Sequence, residues 1–321
     1  MRDHGGNLDA AIARLGGTPA EWLDLSTGIN PEPYPVPPIT ADAWAVLPRK
    51  SDLARLRDAA ASAYATPLRV IPMNGAQGAI QLVPWLAKPG CAAVMAPTYN
   101  EHAAALRACG WQVAEVASTD ALRGADLAVV VNPNNPDGRR TSPDALLDLA
   151  GDVGLLVVDE SFVDPEPHLS VASRDCPANC LILRSFGKFY GLAGLRLGFA
   201  LASGAVADRL AELAGPWPVS GPAIEIACTA LADKEWQART VQRLTKDVAR
   251  LDDLAARAGW TLVGGTPLFR TYEVPEAHTA QEALAMHKVW SRIFPYSNRW
   301  LRLGLPPRTR WTQLEAAIGA A

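Results

Sequence analysis

Short apolar runs, separated by stretches whose hydrophobic positions recur every three or four residues, dominate the middle of this chain. Residues 68–72, 91–96, 111–116, 127–131, 155–159 and 181–185 are such runs, and 194–202 makes a seventh. Short, mainly apolar runs are expected of strands buried on both faces, so their alternation with helical or loop segments predicts a mostly parallel seven-stranded sheet in an α/β fold. From the cap Ser51, the residues Leu53, Leu56, Ala60 and Ala63 share one face as far as Tyr64, and a second helix is predicted over 76–87. Beyond Pro216 and Pro218 the pattern turns helical, with a long charged stretch over 233–258. It then changes character: strands are predicted at 260–263, 268–274 and 300–305, with helices over 280–293 and 309–318. The first forty residues are rich in Gly and Pro and read as an extended arm. The expected organisation is an arm (1–40), a large domain (41–232) and a smaller α+β C-terminal domain (233–321).

Composition narrows the class of function. The chain has 321 residues, 49% of them apolar and 20% charged, which suits a globular protein with one large and one small domain. A formal net charge of -3 provides no broad basic field, so neither nucleic acid nor an anionic membrane is an expected partner. No apolar run approaches the roughly 18 residues of a membrane helix. Five cysteines (Cys91, Cys109, Cys176, Cys180 and Cys228) and no secretory leader predict a reduced, cytoplasmic protein. Cys176 and Cys180 lack a second Cys or His pair at ligand distance, so no metal site is expected.

Candidate chemistry centres on Lys188, in Ser185-Phe186-Gly187-Lys188-Phe189-Tyr190-Gly191 between two strand-like stretches. A lysine amine condenses with a carbonyl cofactor only when partly neutral, which requires a desolvated pocket and a cationic neighbour such as Arg196. Ser185 and Arg196 also suit the phosphate of pyridoxal phosphate. Asn74-Gly75-Ala76-Gln77-Gly78 joins a strand to a helix, where the amides of Ala76 and Gln77 could hold that phosphate, although alone the segment reads as a plain turn. Asp159 ends an apolar strand and needs a cationic partner there: a protonated pyridine nitrogen, an arginine, or a role as helix cap. Asn135, in Asn132-Pro133-Asn134-Asn135-Pro136, sits on a rigid turn from which an amide could reach a phenolic oxygen, and Tyr99 is placed to stack on a ring or to fill the core. Gly75, Tyr99, Asn135, Asp159 and Lys188 all follow strands, where functional residues gather in such sheets.

Taken in order, Gly75-Ala76, Tyr99, Asn135, Asp159, Ser185, Lys188 and Arg196 resemble the fold-type I pyridoxal phosphate enzymes, in the branch that holds the histidinol-phosphate aminotransferases and the threonine-phosphate decarboxylases. The resemblance covers nearly the whole chain. It implies that Lys188 bonds covalently to the cofactor, that Asp159 pairs with the pyridine nitrogen, that Asn135 contacts the phenolic oxygen, that Tyr99 stacks, and that Ala76, Gln77, Ser185 and Arg196 hold the phosphate. It also implies a homodimer with sites near the interface.

Three features favour the decarboxylases of cobalamin synthesis. The opening His4-Gly5-Gly6-Asn7, with Asp24-Leu25-Ser26-Thr27-Gly28-Ile29-Asn30-Pro31, is similar to their substrate-lining arm. Phe162 stands where the aminotransferases typically carry a tyrosine. The segment Arg184 to Gly191 is similar to the lysine segment of the aerobic-pathway enzymes. The implied reaction is loss of carbon dioxide from O-phospho-L-threonine to give 1-amino-2-propanol phosphate, with His4, Gly5, Asn30, Asn135 and Arg302 at the substrate and Arg302 on its α-carboxylate. Arg308 or Arg310 would either help at the substrate phosphate or form a solvated charge pair. Two departures stand out: Gly187 replaces a hydroxyl residue common before the lysine, and Leu47-Pro48 replaces a Tyr-Pro pair that reaches into the partner subunit's site. The competing readings are an aminotransferase acting on histidinol phosphate or another amino acid, a non-catalytic cofactor-binding protein, and a nucleotide-binding enzyme.

Overall fold

The computed structural model describes residues 5–320. It resolves into two compact units, one formed by Tyr34–Asn135 with Arg139–Gln237, the other by the described residues of Met1–Pro33 with Pro136–Gly138 and Ala238–Ala321.

The first unit is built on seven strands: β1 (Arg69–Asn74), β2 (Cys91–Met95), β3 (Gln112–Val116), β4 (Leu127–Val131), β5 (Leu155–Asp159), β6 (Cys180–Ser185) and β7 (Leu197–Ala202). They lie in the order β1-β7-β6-β5-β4-β2-β3. Only β7 runs against its neighbours, antiparallel to β1 and β6, while the other pairs are parallel. The mostly parallel seven-stranded sheet expected from the apolar runs is therefore present, with four parallel pairs and the two antiparallel ones made by β7. Every residue of β4, β5, β6 and β7 is buried, as continuous apolar runs require when both faces are covered. At one edge β3 places Gln112 and Glu115 in exposed positions, which blunts an otherwise open strand. The core on this sheet includes Val94, Leu106, Val129, Val157, Leu183 and Leu210.

The seventh strand starts later than its predicted range of 194–202. Ala193–Leu195 is a 3-10 turn, and Arg196 takes the left-handed conformation (φ 54°), so extended backbone begins only at Leu197. This displacement matters because it turns Arg196 toward the end of β1.

The second unit carries four antiparallel strands, β8 (Thr261–Thr266), β9 (Phe269–Glu273), β10 (Arg292–Phe294) and β11 (Ser297–Gly304), in the order β10-β11-β9-β8. Two expectations are corrected here. The arm is not extended throughout: Leu8–Leu15 is a helix, whose Leu8, Ala11, Ile12 and Leu15 fall on one face and pack with Trp22, Ala285 and Trp290. The helix predicted over 280–293 is Ala277–Met286 instead, because Lys288 adopts φ 58° and Val289–Trp290 then pairs in parallel with Leu23–Asp24.

Candidate active site

The strand ends of the first unit surround a cavity of about 160 Å³. Gly75, Ala76, Gln77, Tyr99, Asn135, Asp159, Ser185, Lys188 and Arg196 all line it, together with Ser161, Phe162 and Gly187. The nine residues given cofactor roles in the sequence are thus brought to one place, with Phe162 and Gly187 beside them.

Local backbone geometry explains the first group. Gly75 opens the helix Gly75–Leu82 with φ +68°, in the left-handed region that glycine occupies without steric cost. A Cβ at this position would lie 2.6 Å from Nη2 of Arg196, so the missing side chain is what lets the guanidinium approach the helix start. Arg196 is held in turn by its own Nη1, which donates to Ala193 O at 3.0 Å. Its left-handed backbone costs about 1–2 kcal/mol for a residue with a Cβ, a strain that persists only where the surroundings enforce it. Gly198 on β7 completes the arrangement, since a Cβ there would meet the Ala76 amide nitrogen at 2.5 Å. Helix-start amides, a nearby guanidinium and the Ser185 hydroxyl make a donor set that can hold a phosphate. Gly75→Ala is expected to weaken pyridoxal phosphate binding by about tenfold or more through the added clash and the backbone strain, as measured by equilibrium titration of the protein with the cofactor. An unchanged affinity would show that the helix start does not hold the phosphate.

Asp159, at the end of β5, is buried and bound on both oxygens. His102 Nε2 donates to Oδ2 at 2.8 Å, while the Ser161 amide and hydroxyl donate to Oδ1 at 3.0 and 2.5 Å. Burial is the largest influence on this carboxyl and pushes its pKa up. The His102 hydrogen bond and charge, with the two bonds from Ser161, outweigh burial and leave the carboxyl below its ordinary range. Asp159 is thus an anion inside the protein, suited to a cationic partner in the cavity.

Tyr99 is fixed from two sides. Its hydroxyl donates to Gln77 Oε1 at 3.2 Å, and Gln77 Nε2 donates to Glu101 Oε2 at 3.0 Å. The Tyr99 ring meets His102 edge to face, with centroids 6.2 Å apart. The Gln77 side chain is therefore engaged with Tyr99 and Glu101, which leaves its backbone amide as the group available to a phosphate. The turn bearing Asn135 is stiffened by its neighbours: Asn134 Oδ1 accepts from Thr98 Oγ1 at 2.6 Å, and Asn132 brackets Thr141 through Nδ2 to O at 3.0 Å and N to Oδ1 at 2.9 Å.

Lys188 sits half-buried in the short helix Phe186–Phe189 that continues β6. Phe186 stacks on Tyr190 with centroids 4.3 Å apart, and Tyr190 stacks on Trp236 at 5.6 Å, so the turn carrying the lysine is backed by rigid aromatic packing. Nζ lies 5.6 Å from the centroid of the apolar Phe162 ring. Gly187 also has a steric reason here, because a Cβ would lie 2.8 Å from Cα of Ala193.

The sequence-derived substrate residues belong mainly to the second unit. His4 lies outside the described residues. Gly5 packs so closely on Ser26 that a Cβ would lie 2.3 Å from its carbonyl oxygen. The buried Arg302 donates through Nη2 to that same oxygen at 2.6 Å. Burial, and then the charge of Arg292, push the Arg302 guanidinium down to about 10. Asn30 is buried and accepts from Arg243 Nη2 at 2.5 Å. The two trailing arginines have structural partners: Arg308 pairs with Glu32 at 3.1 Å, and Arg310 donates to Ala20 O and Glu21 O at 3.2 and 2.7 Å.

His102, Ser161 and Glu101 went unrecognised in the sequence. Ser161 lies two residues after Asp159, a spacing at which a hydroxyl commonly bonds back to a carboxylate. His102 lies three residues after Tyr99 on the helix Glu101–Ala108, and no local pattern ties it to an aspartate 57 positions away.

The family profile for aminotransferase class I and II matches residues 47–320. The chain is similar to the threonine-phosphate decarboxylase of a Sinorhizobium species, with 45% identity over 95% of this chain and 93% of that protein. It is also similar to the threonine-phosphate decarboxylase of Pseudomonas aeruginosa, with 41% identity over 99% of this chain and 97% of that protein. Among solved structures, it resembles the histidinol-phosphate aminotransferase of Sinorhizobium meliloti in complex with pyridoxal-5'-phosphate, with a TM-score of 0.78 at 20% identity, covering 87% of this chain and 83% of that one.

Proposed function

Because this chain belongs to the aminotransferase class I and II family, we propose that it is a pyridoxal phosphate-dependent decarboxylase that converts O-phospho-L-threonine to 1-amino-2-propanol phosphate and carbon dioxide. The observation that carries this reading is the 41–45% identity, over nearly the full chain, with two threonine-phosphate decarboxylases. A place in cobalamin synthesis follows from the resemblance of the arm and the lysine segment.

The cavity fits the cofactor on its own chemistry. A Cβ at Gly75 would intrude on the Arg196 guanidinium, so the cradle for an anion depends on its absence, and the same cavity offers an anionic carboxylate on which a protonated pyridine can rest. In this proposal Ala76, Gln77, Ser185 and Arg196 hold the phosphate, Asp159 holds the ring nitrogen, Asn135 holds the phenolic oxygen, Tyr99 covers the ring and Lys188 bonds to the cofactor. When bound, pyridoxal phosphate supplies a ring that withdraws electrons from the substrate α-carbon. The protein's contribution is orientation: the α-carbon bond held perpendicular to the ring is the one that breaks, so anchoring of the substrate carboxylate and phosphate selects decarboxylation over transamination. We assign the α-carboxylate to Arg302, with His4, Gly5 and Asn30 as further substrate residues. Lys188 is the general acid that would carry a proton to the α-carbon.

The proposal includes a homodimer. Trp44, Val46, Leu47 and Trp217 are 72%, 48%, 63% and 52% exposed, and together they line a surface depression that reaches Asn74 and Arg196. A second copy covering this apolar surface would bring it to the edge of the cofactor cavity. The proposal also places the protein in the cytoplasm, a reducing compartment that suits its five free thiols.

The test is to incubate protein loaded with pyridoxal phosphate with O-phospho-L-threonine and no keto acid. Carbon dioxide and 1-amino-2-propanol phosphate are expected in equal amounts. If neither forms, while histidinol phosphate with 2-oxoglutarate yields glutamate, the aminotransferase reading replaces this one.

A further inference from the structure

Beside the site-bearing strand ends lies a second cluster of ionisable groups that the proposed reaction does not use. Arg184, the residue before Ser185, is buried on β6. Its Nη1 donates to Glu160 Oε2 at 3.2 Å and to Ser170 Oγ at 3.4 Å, and its Nη2 donates to Asp164 Oδ1 at 2.5 Å. The guanidinium carbon lies 4.0 Å from the centroid of the Tyr64 ring. Glu160, which follows Asp159 in the chain, also accepts from Ser170 Oγ at 2.6 Å and from the Val171 amide at 2.8 Å.

Two acids on one guanidinium, with Arg184 and Glu160 buried and the Asp164 side chain 9% exposed, are a poor device for stability alone. The desolvation cost of such clusters cancels much of the attraction, and well-packed apolar residues of similar volume often serve as well. What an arginine offers and an apolar residue does not is direction, since its planar fork sets two acceptors at fixed angles at once. The two acids it fixes bracket Ser161 and Phe162. Ser161 donates two hydrogen bonds to Asp159, and the Phe162 ring faces Nζ of Lys188. On the other side, Arg184 is four residues before Lys188 on the strand and turn that present it.

We propose that Arg184 is a positioning residue: through Glu160 and Asp164 it locks the loop carrying Ser161 and Phe162 onto the end of β6, and so sets the placement of Asp159 and Lys188 across the cavity. The proposal rests on the cofactor reading given above. It is tested with three variants of the holoenzyme, read by visible circular dichroism per bound pyridoxal phosphate, which reports how firmly the cofactor is held in one orientation. Arg184→Met leaves Asp164 and the buried Glu160 without their cation and so tests folding as much as positioning. Glu160→Gln keeps the shape and avoids this, and Arg184→Lys keeps the charge but loses the fork. Glu160→Gln is expected to lower the signal per bound cofactor about twofold or more, with Arg184→Lys between it and the wild type, and kcat to fall while KM for O-phospho-L-threonine stays near its wild-type value. A signal per bound cofactor equal to wild type in both variants, whether or not Tm falls, would assign the cluster to folding and overturn the proposal. A wild-type protein that takes up no pyridoxal phosphate would overturn the cofactor reading and this proposal with it.

Discussion

Lys188→Ala is expected to reduce decarboxylation of O-phospho-L-threonine by about 10⁴-fold or more and to remove the covalent attachment of the cofactor. The reasoning starts from position: the residue continues β6, sits half-buried against Phe162, and shares its cavity with the helix start at Gly75 and with Asp159. Within the described residues this cavity presents one lysine among its lining side chains, so no neighbouring amine stands ready to replace it. Borohydride treatment followed by peptide mass analysis separates the two expected losses. Cofactor mass should be fixed on the peptide containing Lys188 in the wild type and be absent from the variant, even if the variant still binds cofactor without the covalent bond. Wild-type turnover in Lys188→Ala would refute the assignment at once.

The second large effect is expected at Asp159. Asp159→Asn keeps the shape and removes the charge, so the cavity loses the anion that would keep a ring nitrogen protonated. A loss of about 10²–10³ in kcat is expected, the range found when a single preorganised electrostatic contact is removed from an active site. Stability responds separately and carries a sign that can be checked. Because the folded carboxyl lies below its ordinary value, through His102 and Ser161 in opposition to burial, its contribution to stability is fully present above the unfolded pKa near 3.9 and is lost as pH falls through the folded value. The Tm difference between wild type and Asp159→Asn should therefore be largest near neutrality and shrink below about pH 4. A difference that stays constant down to strongly acid pH would mean that the ionised carboxylate does not contribute to folding.

Much of this arrangement was legible before the fold was known, for identifiable reasons. Asp159, Ser185 and Lys188 stand at the ends of apolar runs long enough to be buried strands, and polar residues at such ends are conspicuous. Gly75 and Arg196 were legible as a glycine turn and an arginine near a lysine, but their mutual dependence was not: it arises because Arg196 turns left-handed at the start of β7, and β7 lies beside β1. The helix Leu8–Leu15 was hidden differently. Its apolar positions have helical spacing, yet Gly5, Gly6, Gly16 and Gly17 flank it closely and make the whole segment read as irregular. The helix Ala277–Met286 was read too long because nothing local marks Lys288 as left-handed, and the pairing of Val289–Trp290 that follows is made with a strand from the far end of the chain.

By itself the sequence determined the class of fold and the residue types at each strand end, because the period of apolar positions reports burial and the order of motifs reports chemistry. Tertiary structure alone decided that His102 holds Asp159, that Gln77 and Glu101 hold Tyr99, and that Arg184 ties the Asp159 loop to the lysine strand. Each of these contacts joins residues 22 to 57 positions apart or spans two strands with a loop between them, and such distances in sequence are closed only by the order in which the strands pair. That order is fixed by the packing of apolar side chains over the whole sheet, which no local window of sequence contains.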